Sequence, residues 1–278
     1  MLTGVRLAVW GDPIDHSLSP VLHRAAYRTL GLEWTYDRLR VDEPAFPGAL
    51  ASLGSEWRGL SLTMPLKQAA YRAARRHDRH ARLTGAVNTL LLDGPDLAGF
   101  NTDVGGMATA LFALGALPDE SARVVGSGAT AASAVVALAE SGVRRVEIVA
   151  RRPDRAGPLI ALAQSLGASA TARELDAAPY PPHPLTIAAL PGDARIPDPA
   201  AAALAAPGGM LVDAVYGQWP TQLASAWTAR GSAAHSGEEF LLRQALLQVR
   251  IFAAGDAATP LPAEQTVLAA MRDAVAGH

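Results

Sequence analysis

The chain has 278 residues, half of them hydrophobic and 18% charged, with a formal net charge of −2. That length exceeds one compact core and suits two domains, and the composition is that of a globular protein, not a disordered one. A near-neutral balance offers no field for nucleic acid or an anionic membrane, and the lack of cysteine excludes disulfides, zinc–thiolate sites and a thiol nucleophile.

Met1 to Trp10 lacks a cleavable signal pattern, and the alanine-rich stretches are broken by Gly, Pro or charge short of a membrane-spanning length. A cytoplasmic protein is the expectation. Val5 to Trp10 is an apolar run ending at Gly11 and predicts a first strand. Ser19-Pro20 reads as an N-cap with Pro at the first helical position, opening a helix to about Leu30 that Gly31 stops. Trp34 to Val41 predicts a strand, Pro44 to Leu53 a helix, and Gly59 to Thr63 a short strand that turns at Met64-Pro65. A helix is expected from Lys67 to Arg76. Ala86 to Leu92 and Leu97 to Phe100 suit a hairpin around Asp93-Gly94.

Strands and helices then alternate. Helices are expected over Val104 to Leu114, Thr130 to Glu140 (closed by Gly142) and Arg155 to Leu166. Strands are expected over Ala122 to Val125, Arg145 to Ala150, Leu185 to Ala189, Met210 to Ala214 and Ala233 to Ala234. Such alternation predicts a parallel sheet wrapped by helices. Glu238 to Ala254 and Ala263 to Ala276 read as two closing helices. No repeat of solenoid period is present. The expected fold class is α/β in two lobes: an N-terminal mixed α/β lobe over residues 1–103, and a Rossmann-type doubly wound lobe over 104–237.

Lys67 is the only lysine among the 24 Lys and Arg residues, so all the others are arginine, and Asn88 and Asn101 are the only asparagines. Guanidinium stays charged, so arginine cannot replace a lysine that must release a proton. This singles out Lys67 as a candidate for chemistry.

Arg123 to Ala131 contains a strand end, the turn Gly126-Ser127-Gly128-Ala129-Thr130-Ala131 and a helix start. Gly126 permits the tight turn, Gly128 lets backbone approach a pyrophosphate, and Ala131 allows close helix–strand packing. The helix N-terminus offers N–H groups and a positive dipole end to phosphate. In an NAD site an acidic residue about 20 positions on binds the ribose. Glu147 lies at that distance, but inside a strand and facing away from its end. The strand end itself reads Ala150-Arg151-Arg152-Pro153-Asp154-Arg155, where Arg151, Arg152 and Arg155 suit a 2′-phosphate. NADP is therefore the expected cofactor.

Four further segments carry polar residues that packing does not explain. They are Ser17-Leu18-Ser19, Ser61 to Lys67 (with Thr63), Gly85 to Thr89 (with Asn88), and Asn101-Thr102-Asp103. Two hydroxyls two residues apart, Ser17 and Ser19, can both donate to one carboxylate. Taken in order with the glycine turn, Asp213-Ala214-Val215-Tyr216, Pro220-Thr221 and Gly237 through Gln244-Ala245, these segments resemble the shikimate dehydrogenase family over nearly the whole chain. Departures are Ser61 where asparagine is usual, His23-Arg24 where His-Asn is common, Ala129 in the glycine loop, and Ala188-Ala189-Leu190-Pro191 in place of an Asn- and Thr-bearing loop.

The resemblance implies NADP-dependent, reversible reduction of 3-dehydroshikimate to shikimate, a step toward aromatic amino acids. Lys67 and Asp103 would be the catalytic pair. Ser17 and Ser19 would hold the substrate carboxylate with Tyr216 nearby, and Thr63, Asn88 and Gln244 would bind ring hydroxyls. Gly126 to Ala131, Ala150, Arg151, Arg152, Arg155, Ala214 and Gly237 would line the cofactor, and the helices over 238–278 would pack back on the first lobe. The implied partner is a small molecule, not nucleic acid or a membrane, with no metal, for a monomer or homodimer. Two alternatives stay open: a quinate or aminoshikimate dehydrogenase using NAD, and a non-catalytic NADP- and shikimate-binding regulator. Ser19 in place of threonine, and the lack of an acidic strand end, lean toward shikimate and NADP.

Overall fold

The computed structural model describes residues 4–93, 96–116 and 120–277. The chain divides into two compact units, Met1–Thr102 with Leu242–His278, and Asp103–Leu241. In the first, β1 (Arg6–Gly11), α1 (Ser19–Thr29), β2 (Thr35–Arg40), α2 (Phe46–Ala51) and β3 (Trp57–Leu62) precede α3 (Lys67–Ala73), β4 (Arg76–His77), α4 (Arg79–Thr84), β5 (Thr89–Leu91) and β6 (Ala98–Phe100). They form one sheet in the order β2-β1-β3-β5-β6-β4.

Leu7 to Trp10 is apolar without alternation because β1 is buried on both faces. The edge strand β2 buries only Tyr36. On one side Trp10, Phe46, Leu60, Leu62, Leu66, Ala70 and Leu90 form a core, with Trp10 edge-on to Phe46 at 6.2 Å.

Strand directions decide where the polar segments meet. β1 and β3 run parallel, while β5 runs antiparallel to β3 and β6, pairing Thr89 with Ser61 and with Phe100. The ends of β1, β3 and β6 therefore share one edge of the sheet with the start of β5.

The second unit follows α5 (Thr102–Ala113) with β7 (Ser121–Val125), α6 (Ala129–Glu140), β8 (Arg145–Ala150), α7 (Gly157–Ser165), β9 (Ser169–Glu174), β10 (Leu185–Ala188), α8 (Asp198–Ala205), β11 (Met210–Asp213), α9 (Gln222–Thr228) and β12 (Ala234–His235). Its strands pair in parallel, in the order β12-β11-β10-β7-β8-β9. This is the doubly wound order, with its switch point between β7 and β10. The chain closes with α10 (Glu238–Ala254) and α11 (Glu264–Ala276), and α11 packs against α1.

The expected strand and helix types hold over most of the chain, and three details differ. Ser19 is not the cap of α1 but its first residue, because the Leu18 carbonyl already accepts from the Val21 and Leu22 N–H groups. α4 stands where no helix was expected, capped by Asp78, which accepts from the Ala81 N–H at 2.6 Å, and closed by Gly85 at φ +63°. β9, α8 and α9 also arise in segments for which no element was expected. The β5–β6 hairpin is present, while Gly94 of its expected turn lies outside the described residues.

Candidate active site

Each candidate of the first unit sits at the shared sheet edge. β1 ends at Gly11, where an added Cβ would lie 2.4 Å from the Thr63 methyl and 2.8 Å from the Met64 carbonyl. Only glycine lets these two chain segments approach so closely. Ser17 lies in the loop after β1 and Ser19 opens α1, both buried, and the Ser17 Oγ accepts from the Ser19 N–H at 3.3 Å. The Thr63 N–H donates to the Trp10 carbonyl at 3.0 Å, and the Thr63 carbonyl accepts from Leu66 at 2.7 Å. That turn sets Lys67 as the first residue of α3, half-buried. Its carbonyl accepts from the Val87 N–H at 2.9 Å, which ties α3 to the residue before Asn88.

Asn88 is 2% exposed. A backbone N–H can only donate, so the 2.9 Å bond from the Thr102 N–H identifies the Asn88 Oδ1. The Nδ2 then donates to the Thr102 Oγ1 at 2.8 Å and toward the Gln244 Oε1 at 3.5 Å. Thr102 was not among the sequence candidates, although it immediately precedes Asp103. Asp103 is buried in the first turn of α5 and begins the second unit. Asn101, singled out by its rarity, holds the loop after α4: its Nδ2 donates to the Thr84 Oγ1 at 2.8 Å and the Ala86 carbonyl at 3.2 Å.

In the second unit the glycine turn lies at the switch point. Gly126 has φ +128°, and a Cβ there would lie 2.6 Å from the Ala189 carbonyl oxygen. No side chain could occupy that place without displacing the loop after β10. Ser127 and Gly128 are exposed, and α6 begins without a side-chain cap, so its first N–H groups face outward as an anion cradle. Ala131 is fully buried and Thr130 half-buried. At the end of β8, Ala150 is buried while Arg151, Arg152 and Arg155 are exposed.

Glu147 is otherwise engaged. It is 7% exposed, faces Arg123 across the sheet with Oε2 2.5 Å from the Arg123 Nε, and lies 3.5 Å from His183. Burial pushes its carboxyl upward, but hydrogen bonds from His183 and Arg123 outweigh that and hold it below the usual range. The acidic residue at the NAD distance is therefore a structural partner of Arg123.

Ala214 and half-buried Tyr216 follow β11, and a Cβ on Gly237 would lie 2.4 Å from the Ala214 carbonyl. A cleft of about 370 Å³ opens there, lined by Leu190, Pro191, Asp213, Val215 and Thr221 among others. Burial pushes the Asp213 carboxyl upward, against hydrogen bonds from the Thr221 hydroxyl at 2.7 Å and the Val215 N–H at 3.1 Å. Among the described residues no helix is long and apolar enough to cross a membrane.

A doubly wound parallel sheet with a glycine turn at its switch point, joined to a mixed-sheet unit with a polar edge, defines a two-unit Rossmann-type protein. The family model of the shikimate dehydrogenase substrate binding domain matches residues 9–90. A shikimate dehydrogenase (NADP(+)) of Methylobacterium radiotolerans is 36% identical over 265 residues, 87% of this chain and 88% of that protein. The crystal structure of Mycobacterium tuberculosis shikimate dehydrogenase superposes with a TM-score of 0.84 at 37% identity, covering 99% of this chain and 100% of that one. A Thermus thermophilus shikimate 5-dehydrogenase, solved in complex with NADP(H) and shikimate, gives 0.76 at 31% identity over 97% and 99%. The chain belongs to the shikimate dehydrogenase family.

Proposed function

We propose that this chain is a cytoplasmic, NADP-dependent shikimate dehydrogenase that interconverts 3-dehydroshikimate and shikimate. The observation that carries the reading is its similarity to an NADP(+) shikimate dehydrogenase over 87% of its length, with Lys67 and Asp103 both present.

The second unit fits a dinucleotide. The cradle at Gly126 has no space for a Cβ, α6 begins uncapped, and three exposed arginines at the end of β8 suit the extra phosphate of NADP. Residues Gly126 to Ala131, Ala150 to Arg155, Ala214 and Gly237 hold the cofactor, which supplies the hydride chemistry when bound. The remaining work belongs to side chains. Ser17 and Ser19 donate to the substrate carboxylate, with Tyr216 beside it, while Thr63, Asn88 and Gln244 bind ring hydroxyls. In the reducing direction the Lys67 ammonium stabilises the developing alkoxide and gives it a proton. In the oxidising direction the neutral amine takes the hydroxyl proton. The Asp103 carboxylate orients the amine.

Initial rates with shikimate and quinate, each with NADP and NAD, test the reading, together with Lys67→Ala. Turnover should be fastest with shikimate and NADP. Lys67→Ala should lose about 10²-fold or more in kcat while binding NADPH with unchanged affinity. Faster turnover with quinate and NAD, or near-normal turnover by Lys67→Ala, overturns it.

A further inference from the structure

We infer that Gln248, with His23 and Ser61 behind it, is a positioning residue that presets Asn88 for substrate. The inference rests on the reading that Asn88 binds a ring hydroxyl. α10 brings two glutamines into the first unit one helical turn apart, Gln244 and Gln248, at 8% and 2% exposure. Their neighbours Ala245, Leu246, Val249, Ile251 and Phe252 are buried and apolar. An apolar side chain at 248 would meet the packing demands of such a helix face. Both amides instead converge on one residue. The Gln244 Oε1 lies 3.5 Å from the Asn88 Nδ2, and the Gln248 Nε2 donates to the Asn88 carbonyl at 3.2 Å and the Thr89 Oγ1 at 3.1 Å.

The bonds run in one direction. A backbone carbonyl only accepts, so the atom of Gln248 facing Asn88 is its nitrogen, and its Oε1 must receive. That oxygen accepts from the Ser61 hydroxyl at 2.8 Å and from His23 at 3.2 Å. His23 therefore carries its proton on Nε2, and its Nδ1 accepts from the Tyr27 hydroxyl at 3.0 Å. Gln248 then donates to Thr89, whose hydroxyl donates to the Asn88 Oδ1 at 2.8 Å. With the Thr102 N–H on the same oxygen, the carboxamide plane of Asn88 is set before substrate arrives, and its orientation is not paid for on binding. Ser61 stands where asparagine is usual in the family, and its hydroxyl joins the Gln248 amide to strand β3.

The test compares wild type, Gln248→Met and Gln248→Glu, using initial rates with varied shikimate and varied NADP, and circular dichroism to verify folding. Gln248→Met should raise the KM for shikimate about fivefold or more, with kcat within threefold and the KM for NADP unchanged. Gln248→Glu keeps the shape of the side chain, so it serves if the methionine variant fails to fold. Burial at position 248 disfavours the charged acid and raises its pKa above the ordinary glutamate range; the protonated acid can still donate to Asn88, whereas the carboxylate cannot. Its KM for shikimate should therefore rise from pH 6 to pH 9 more steeply than that of wild type. A shikimate KM within twofold of wild type at both pH values, or equal rises in the KM for shikimate and NADP, overturns the positioning role. A wild-type chain that does not turn over shikimate overturns the assigned reaction instead.

Discussion

His23 illustrates how burial sets the charge state of a single side chain. Its ring is fully buried, stacked on Tyr36 at a centroid distance of 4.0 Å. Desolvation lowers its pKa from 6.5 to about 3, a shift that the Gln248 hydrogen bond only partly opposes. Below pH 6.5 the unfolded chain takes up a proton at this residue and the folded chain does not. The unfolded state then binds more protons, so stability falls as pH drops from 6.5 toward 3, at up to ~1.4 kcal/mol per pH unit. Between pH 6.5 and 5.0 this one residue should remove about 1.6 kcal/mol. Urea unfolding at those two pH values should show the loss in wild type and a much flatter dependence in His23→Phe. Equal slopes in the two proteins would show that His23 is not held neutral. The sequence drew attention to Lys67, Asn88 and Asn101 because each is rare in this chain. Rarity does not separate roles: Asn88 stands in the polar cluster, while Asn101 ties the loop after α4. Gln248 carried no such mark. Its meaning lies in being one turn from Gln244 and opposite His23, 225 residues away along the chain.

At the scale of elements, a buried ion pair joins two neighbouring strands of the second unit, β7 and β8. Arg123 on β7 is 0% exposed and faces Glu147 on β8 in register. The arginine also donates to the Pro181 carbonyl at 2.6 Å and lies over the Tyr180 ring at 5.0 Å, so the loop after β9 closes around it. Removing one partner strands a charge in the interior, which costs about 3–5 kcal/mol, whereas replacing both with apolar groups is often neutral. Glu147→Leu should therefore destabilise by that amount in urea titrations, and Arg123→Leu with Glu147→Leu should restore most of it. A double variant as unstable as the single one would mean the pair is needed for more than charge balance. The preference for NADP over NAD should persist in any folded Glu147 variant, because this carboxylate is committed to Arg123. Element types were legible where a continuous apolar run or a strong apolar period marks them, as in β1, β8 and α10. They were not where burial is slight. α4 spans Arg79–Thr84 and buries only Ala81, so its capping residues Asp78 and Gly85 were its sole signal. β9 is an edge strand that buries no residue fully, and the alternation in its sequence Ser-Ala-Thr-Ala-Arg-Glu is carried only by two small alanines.

For the whole molecule, the chain crosses between its units at two points, after Thr102 and after Leu241. The fold class was legible because the second unit alternates strand and helix with a glycine turn in the right context. The first unit was less so, because its mixed sheet depends on pairings such as Ser61 with Thr89 that no local pattern encodes. The proposed roles divide along the same line, with cofactor residues in the second unit and most substrate residues in the first. Each ligand alone should then protect its own unit. A ligand that binds only the folded state stabilises what it contacts by RT ln(1 + [L]/Kd), about 2.7 kcal/mol at a hundredfold excess over Kd. Local opening of the contacted segments is suppressed accordingly. In hydrogen exchange, NADP alone should slow the amides of Gly126 to Ala132 and Ala150 to Ala156. Shikimate alone should slow those of Thr63 to Ala70, Val87 to Thr89 and Thr102. Arg151→Ser with Arg152→Ser and Arg155→Ser should abolish the first pattern at the same NADP concentration and leave the second intact. Protection of the glycine turn by shikimate alone, or of Thr63 to Ala70 by NADP alone, would reverse the assignment of ligands to units.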